Sequence, residues 1–198
     1  ETELILVVEG AVATKDDGLY NVLARYQGKL ITAMEAVKMA GEKAKYVLAV
    51  GTCASFGGPS AAKPNPSQSL SVPQFLNRKV IRVPGCPSHP DWAIGTIANL
   101  IAFGEPELDA QNRPIIFYGI TIHDRCPRRS YFDKGIFATK LGDPECMFKL
   151  GCRGPVTRTD CPVRQWNGYV NWPIEDNTPC IGCAGERFPD GMEPFVRY

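Results

Sequence analysis

The sequence predicts an α/β fold, a parallel sheet with crossover helices, followed by a long irregular segment. Three observations predict it. Short apolar runs recur through the first 120 residues, each ending at or near a glycine. Helical patterns lie between them, and after about Ile120 both periods stop while cysteine, proline and glycine accumulate. Strand and helix alternating at this spacing argue for right-handed crossovers onto a parallel sheet, whose functional loops follow the carboxyl ends of the strands.

The first run, Leu4 to Val8 in "ELILVVEG", reads as a buried strand. A chain that opens directly on such a strand, with no signal-peptide pattern, carries the expectation that a further segment precedes Glu1. In "ITAMEAVKMAGEKA", Ile31, Met34, Val37, Met39 and Ala40 are expected on one side of a helix ending around Gly41. Tyr46 to Val50 and Val80 to Val83 are the next strands. Each leads into a loop with a cysteine, Cys53 in "LAVGTCASFGG" and Cys86 in "IRVPGCPSHP". A second helix starts near His89 to Asp91, tolerates Pro90 in its first turn and closes at Gly104; His89 is expected simply as a residue of that helix start. Ile115 to Tyr118 reads as a fourth strand. The chain divides into residues 1–120 and 121–198.

Composition narrows the function. A chain of 198 residues, 44% of them hydrophobic, is long enough to bury a core. Lysine and arginine number 22 against 21 aspartates and glutamates, so no global field draws it to nucleic acid or an anionic membrane. The longest weakly polar stretch, Trp92 to Gly104, falls short of the roughly 20 residues a membrane helix needs, and the closing "PFVRY" shows no anchor.

Residues 121–198 hold six of the eight cysteines. A segment that long without regular structure is held by something other than an apolar core alone. The spread of Phe148, Trp166, Tyr169, Trp172, Phe188 and Phe195 argues against simple disorder. Three kinds of staple are open. Eight cysteines could make four disulfides, but Cys53 and Cys86 sit where α/β folds place chemistry. His123 and Cys126 with Cys180 and Cys183 could bind zinc, which leaves four cysteines unused. Iron-sulfur clusters are the third: "CIGC" lets two thiolates grip one cluster from a tight turn, a histidine can replace one thiolate, and proline after Cys86, Cys126 and Cys161 holds each residue extended.

The strings "LILVVEGAV", "GTCASFGG", "VPGCP", "TIHDRCPRRSYFDKG", "CMFKLGCRGP" and "NWPIEDNTPCIGC", in that order, resemble the electron-transfer small subunit of nickel-iron hydrogenases over nearly the whole chain. The resemblance implies a flavodoxin-like sheet domain, incomplete at its amino end, followed by an irregular cluster-binding domain. It implies three clusters in a line. Cys53 and Cys86 match two of four ligands of a proximal 4Fe-4S cluster; the family's other two come from a C-x-x-C that this chain lacks. His123, Cys126, Cys146 and Cys152 match a distal 4Fe-4S cluster. Cys161, Cys180 and Cys183 match a medial 3Fe-4S cluster, with Pro173 standing where relatives with a fourth cysteine hold 4Fe-4S.

The implied function is electron transfer from H2 oxidation at the nickel-iron centre of a large catalytic subunit, through the clusters, to a cytochrome or other carrier at the distal end. The implied location is the periplasm or the outer face of the cytoplasmic membrane. The alternatives are a non-catalytic iron-sulfur carrier of another redox complex and a disulfide-stapled binding domain. Trp166 and Trp172 are expected around the medial cluster or as core filler, and Glu9 near a subunit interface or as a cap. Arg128 and Arg129 are read as steering an acidic partner or as solvated charge.

Overall fold

The computed structural model describes residues 3–190; Glu1, Phe195 and "PFVRY" lie outside the described residues. The elements follow in chain order. Strand β1 (Ile5–Glu9) leads to β2 (Val12–Ala13), β3 (Val22–Tyr26), β4 (Lys29–Thr32), α1 (Ala33–Lys43) and β5 (Tyr46–Val50). Next come α2 (Gly51–Phe56), α3 (Gly58–Ala61), β6 (Ser69–Leu70), α4 (Val72–Leu76), β7 (Ile81–Val83) and α5 (Pro90–Phe103). Beyond them lie only short helices: α6 (Ile115–Tyr118), α7 (Arg129–Asp133) and α8 (Cys161–Arg164).

The main sheet has the order β1-β5-β7 and is parallel throughout, with Ile5 opposite Tyr46 and Leu48 opposite Ile81. All three strands therefore end on the same side, which puts Glu9, Cys53 and Cys86 at one edge of the molecule. One sheet face buries Val47, Ala49 and Val80 with Val12, Val37 and Val72 from the α1 and α4 side. The other buries Leu48, Ile81 and Val83 against Trp92 and Leu100 of α5, and this cluster continues into Ile122, Met147, Trp172 and Ile174. The irregular segment thus shares the sheet's core. Burial of shared apolar surface is what positions it.

Local sequence explains the helices. Thr32 caps α1, its hydroxyl accepting from Glu35 N–H at 3.2 Å while the Glu35 carboxylate accepts from Thr32 N–H at 3.4 Å. Val37 is buried as expected, but Met39 is exposed, because two residues turn a helix by about 200°. Ile31 lies in β4, one residue before the cap. His89 caps α5: its Nδ1 accepts from Asp91 N–H at 3.1 Å and its Nε2 donates to Gln165 O at 2.9 Å.

Two expectations need correction. Ile115–Tyr118 is a helical turn, not a fourth strand: Pro114 N-caps it, and Phe117 and Tyr118 N–H both bond the Pro114 carbonyl at 3.0 Å. A four-residue apolar run cannot fix its own period. The outer edge of β7 is met instead by Asn112, whose carbonyl accepts from Arg82 N–H at 2.8 Å. The first apolar run is not a buried strand either: Leu4 and Val7 are exposed. The β3–β4 hairpin is a further departure from the sequence pattern. Its strand β3 is exposed along its length, so it carries no buried alternation to reveal it.

Candidate metal centres

Cys53 stands in the first turn of α2, directly after β5, and Cys86 three residues beyond β7. Two glycines let the chain pass here. Gly58 has φ +47°, and a Cβ on it would lie 2.8 Å from Cys53 N; one on Gly85 would lie 2.6 Å from the Pro87 carbonyl oxygen. Thr52, fully buried, ties the two loops. Its amide donates to Gly85 O at 2.9 Å and its hydroxyl accepts from Gly85 N–H at 3.0 Å. The same hydroxyl donates to the Cys183 carbonyl, 131 residues away.

Cys161, Cys180 and Cys183 line one cavity of about 450 Å³ together with Cys86, Trp166, Trp172 and Pro173. Both tryptophans therefore face the hollow, and Pro173 sits on its wall. The Thr159 hydroxyl donates to Cys161 Sγ at 3.1 Å, and Gly182 N–H donates to Cys180 Sγ at 3.4 Å. Burial pushes the Cys161 and Cys180 thiols up and the Cys183 thiol up to about 11. Metal binding there would displace protons, as it must at any thiolate site.

His123, Cys126, Cys146 and Cys152 all line a second hollow with Met147, Phe148 and Ile174. The hollow is narrow, about 10 Å³, so its fit rests on its donors. A capping box builds the histidine turn: Thr121 Oγ1 accepts from Asp124 N–H at 3.2 Å and Asp124 Oδ2 from Thr121 N–H at 2.8 Å. His123 meets Phe132 edge to face, ring centroids 4.4 Å apart, and Phe132 in turn packs on Phe137 and Phe148. Burial, and after it the Arg129 guanidinium, hold the imidazole below its ordinary range, so it stays neutral as a metal ligand must. Burial also raises Cys126 and Cys152, opposed at Cys152 by the Gly154 N–H, which donates to its sulfur at 3.5 Å.

Arg128 is not a solvated charge. It is buried, with Nη1 donating to Asp143 O at 2.8 Å and Glu145 O at 3.0 Å, and Nη2 donating to the Asn177 side chain. It is the clamp that closes the loop before Cys146. Arg129 is spent on Asp133, at 2.8 Å. Glu9 ends β1 exposed at the sheet edge that carries Cys53 and Cys86.

All eight cysteines are free thiols, which removes the disulfide framework. Among the described residues no three His, Cys, Asp or Glu side chains close around a single metal ion. The donors stand around hollows instead, an arrangement for a polynuclear centre. Sequence reasoning missed Thr52, Thr159 and the Arg128 clamp, and no period or motif in the sequence marks them.

Residues 118–196 match the C-terminal family of the NiFe/NiFeSe hydrogenase small subunit, and residues 1–100 match the family described as NADH ubiquinone oxidoreductase, 20 Kd subunit. The chain is 40% identical to a periplasmic NiFe hydrogenase small subunit of Solidesulfovibrio fructosivorans, over 96% of this chain and 60% of the relative. It is 39% identical to an uptake hydrogenase small subunit of Bradyrhizobium diazoefficiens, over 95% of this chain and 52% of that protein. The chain thus spans about half to two thirds of the length of such relatives. A solved NiFeSe hydrogenase of Desulfomicrobium baculatum superposes with a TM-score of 0.90 at 38% identity, covering 96% of this chain and 74% of that one. Among the described residues no helix is long and apolar enough to cross a membrane.

Proposed function

The chain belongs to the small subunits of nickel-iron hydrogenases, and on that premise we propose that it is the wire carrying electrons from H2 oxidation at a nickel-iron centre in a large subunit to an external carrier. The gathering of His123, Cys126, Cys146 and Cys152 on one hollow carries this reading. A second group, Cys161, Cys180 and Cys183, shares another. Cys53 and Cys86 supply half of a third site at the sheet edge, where Glu9 also lies and a large subunit would dock. The boundary between sheet domain and cluster domain falls near residue 120.

Clusters bound at these sites would supply one-electron storage at graded potentials. The chain's own groups do the rest. Thiols and one imidazole would hold iron; the Thr159 hydroxyl and the Gly182 amide donate to sulfurs around the middle hollow. Donors aimed at sulfur stabilise added negative charge and so raise a potential. The three-thiol set beside Pro173 fits 3Fe-4S, and the four-donor set at His123 fits 4Fe-4S. Trp166 and Trp172 keep water from the middle site. The Phe132, Phe137 and Phe148 rings pack the histidine turn, while half-exposed Phe148 opens this end toward solvent and a cytochrome-like carrier. The relatives' names place them in the periplasm or with quinone-reactive enzymes, and the same outer-face location is proposed here.

The match of residues 1–100 to a subunit of another redox complex is the one observation favouring a non-catalytic carrier; the match of residues 118–196 favours the hydrogenase. Metal and sulfide content of the native assembly decides between them. About eleven irons per small subunit with nickel in the co-purifying partner is the expected result. Iron without nickel would leave the carrier reading, and no iron would overturn both.

A further inference from the structure

A cavity of about 950 Å³ opens between residues 109–119 and residues 153–187, and no cysteine or histidine lines it. It is a place apart from the thiols. Four arginines line it, Arg113, Arg153, Arg158 and Arg187, against two carboxylates, Asp109 and Glu186. Ile115 and Val156 give the wall an apolar part.

The carboxylates are already committed. Asp109 Oδ2 accepts from Arg113 Nε at 2.8 Å and Nη2 at 2.7 Å, while its Oδ1 accepts from the amides of Gln111 at 2.9 Å and Arg113 at 3.0 Å. The buried Arg113 is thereby neutralised within the wall. Glu186 accepts from the Gln111 side chain at 2.8 Å, a bond that ties the two sides of the cavity together. Arg158 and Arg187 are both exposed and have no carboxylate among the described residues; Arg158 Nη1 donates instead to the Gly119 carbonyl at 2.7 Å.

Behind the wall, Arg82 Nη1 donates to the Gln111 carbonyl at 3.3 Å, and its buried Nε has no acceptor among the described residues. Burial pulls this guanidinium below its ordinary range. A chain of net charge +1 thus gathers five guanidinia around two carboxylates in one corner. Like charges so gathered repel, and an anion between them removes that cost.

We propose that this cavity is a binding site for a small organic phosphomonoester, its doubly charged phosphate held by the forks of Arg158 and Arg187 and its apolar part set against Ile115 and Val156. Guanidinium forks match phosphate oxygens two at a time, and two guanidinia without carboxylates match a dianion. The volume lies in the range of small-molecule sites and exceeds what a bare phosphate fills.

The test is calorimetric titration of the native assembly at low salt with phenyl phosphate, inorganic phosphate and sodium chloride. Phenyl phosphate is expected to bind saturably and more tightly than inorganic phosphate, with no saturable heat from chloride. Arg187→Gln and Arg158→Gln are each expected to weaken it about tenfold, the loss of one charged hydrogen bond, and the double variant to abolish it. Arg187 makes no bond that folding needs among the described residues, so its variant reads binding alone. Arg25→Gln, on the exposed β3, is expected to bind as wild type does. Equal affinity for phenyl phosphate and inorganic phosphate, an unweakened Arg187→Gln, or no saturable phenyl phosphate binding in the wild type overturns the proposal.

Discussion

Arg128→Ala is the sharpest test of how the histidine site is held. The side chain is 9% exposed and makes three hydrogen bonds, to the carbonyls of Asp143 and Glu145 and to the Asn177 side chain. Bonds to a charged donor contribute about 1.5–3 kcal/mol each, and stranded buried acceptors cost further. Water entering the space left by the guanidinium recovers part of this, so the net loss is about 4 kcal/mol. For a chain of this size that is a fall of roughly 8–16 °C in Tm. Arg128→Lys keeps the charge but cannot fork to three acceptors, and is expected to fall between. The assay is thermal loss of cluster absorbance in the assembled enzyme, with iron counted before and after. A Tm within about 2 °C of wild type, with a steep new salt dependence in reduction of an external carrier, would refute the clamp and restore the steering role.

Pro173→Cys is expected to add a fourth thiol to the wall that carries Cys161, Cys180 and Cys183, abolishing the oxidised 3Fe signal; an unchanged signal would count against the medial assignment. Tyr118 gives a pH prediction. It is fully buried, its hydroxyl donating to Pro84 O at 2.8 Å, and burial lifts its phenol well above the ordinary value of about 10. The folded chain then holds a proton that the unfolded chain releases near pH 10, so this stabilisation is present below pH 10 and is lost as pH climbs toward the folded value. Tyr118→Phe should be less stable at neutral pH and show a shallower alkaline decline in guanidinium titrations; parallel declines would contradict the burial argument.

What was legible in the sequence follows a physical division. The strands that became β5 and β7 were readable because both their faces are covered and their apolar runs are continuous, and β1 because its apolar run is continuous although Val7 is exposed. The helix of residues 90–103 was readable from Pro90 and Gly104 at its ends. Ile115–Tyr118 was not, since Pro114 and four apolar residues suit a strand or a turn until the neighbouring chain is placed. The exposed β3 gave no period at all. Metal-seeking residues are legible for another reason: a thiol has few other uses at such spacing, so the cysteines pointed to metal before any fold was known. His123, Cys126, Cys146 and Cys152 line one hollow, and Cys161, Cys180 and Cys183 line another that Cys86 also reaches.

The supporting groups behave oppositely, and the reason bears on how such a chain works. Thr52 is one of many threonines in linear view, and it becomes specific only when Gly85 and Cys183 arrive from 33 and 131 residues away. Arg128 looks like surface charge until the loops of Asp143 and Asn177 fold over it. The thiols and the imidazole are therefore readable from spacing alone, while the groups that brace them depend on the shared core. That core runs unbroken from Leu48 and Val83 of the sheet to Cys161 and Cys180. A change that loosens it, even far from any sulfur, should displace Thr52 from Gly85 and Cys183 before it parts the thiols of one hollow, because the partners of Thr52 come from separate loops.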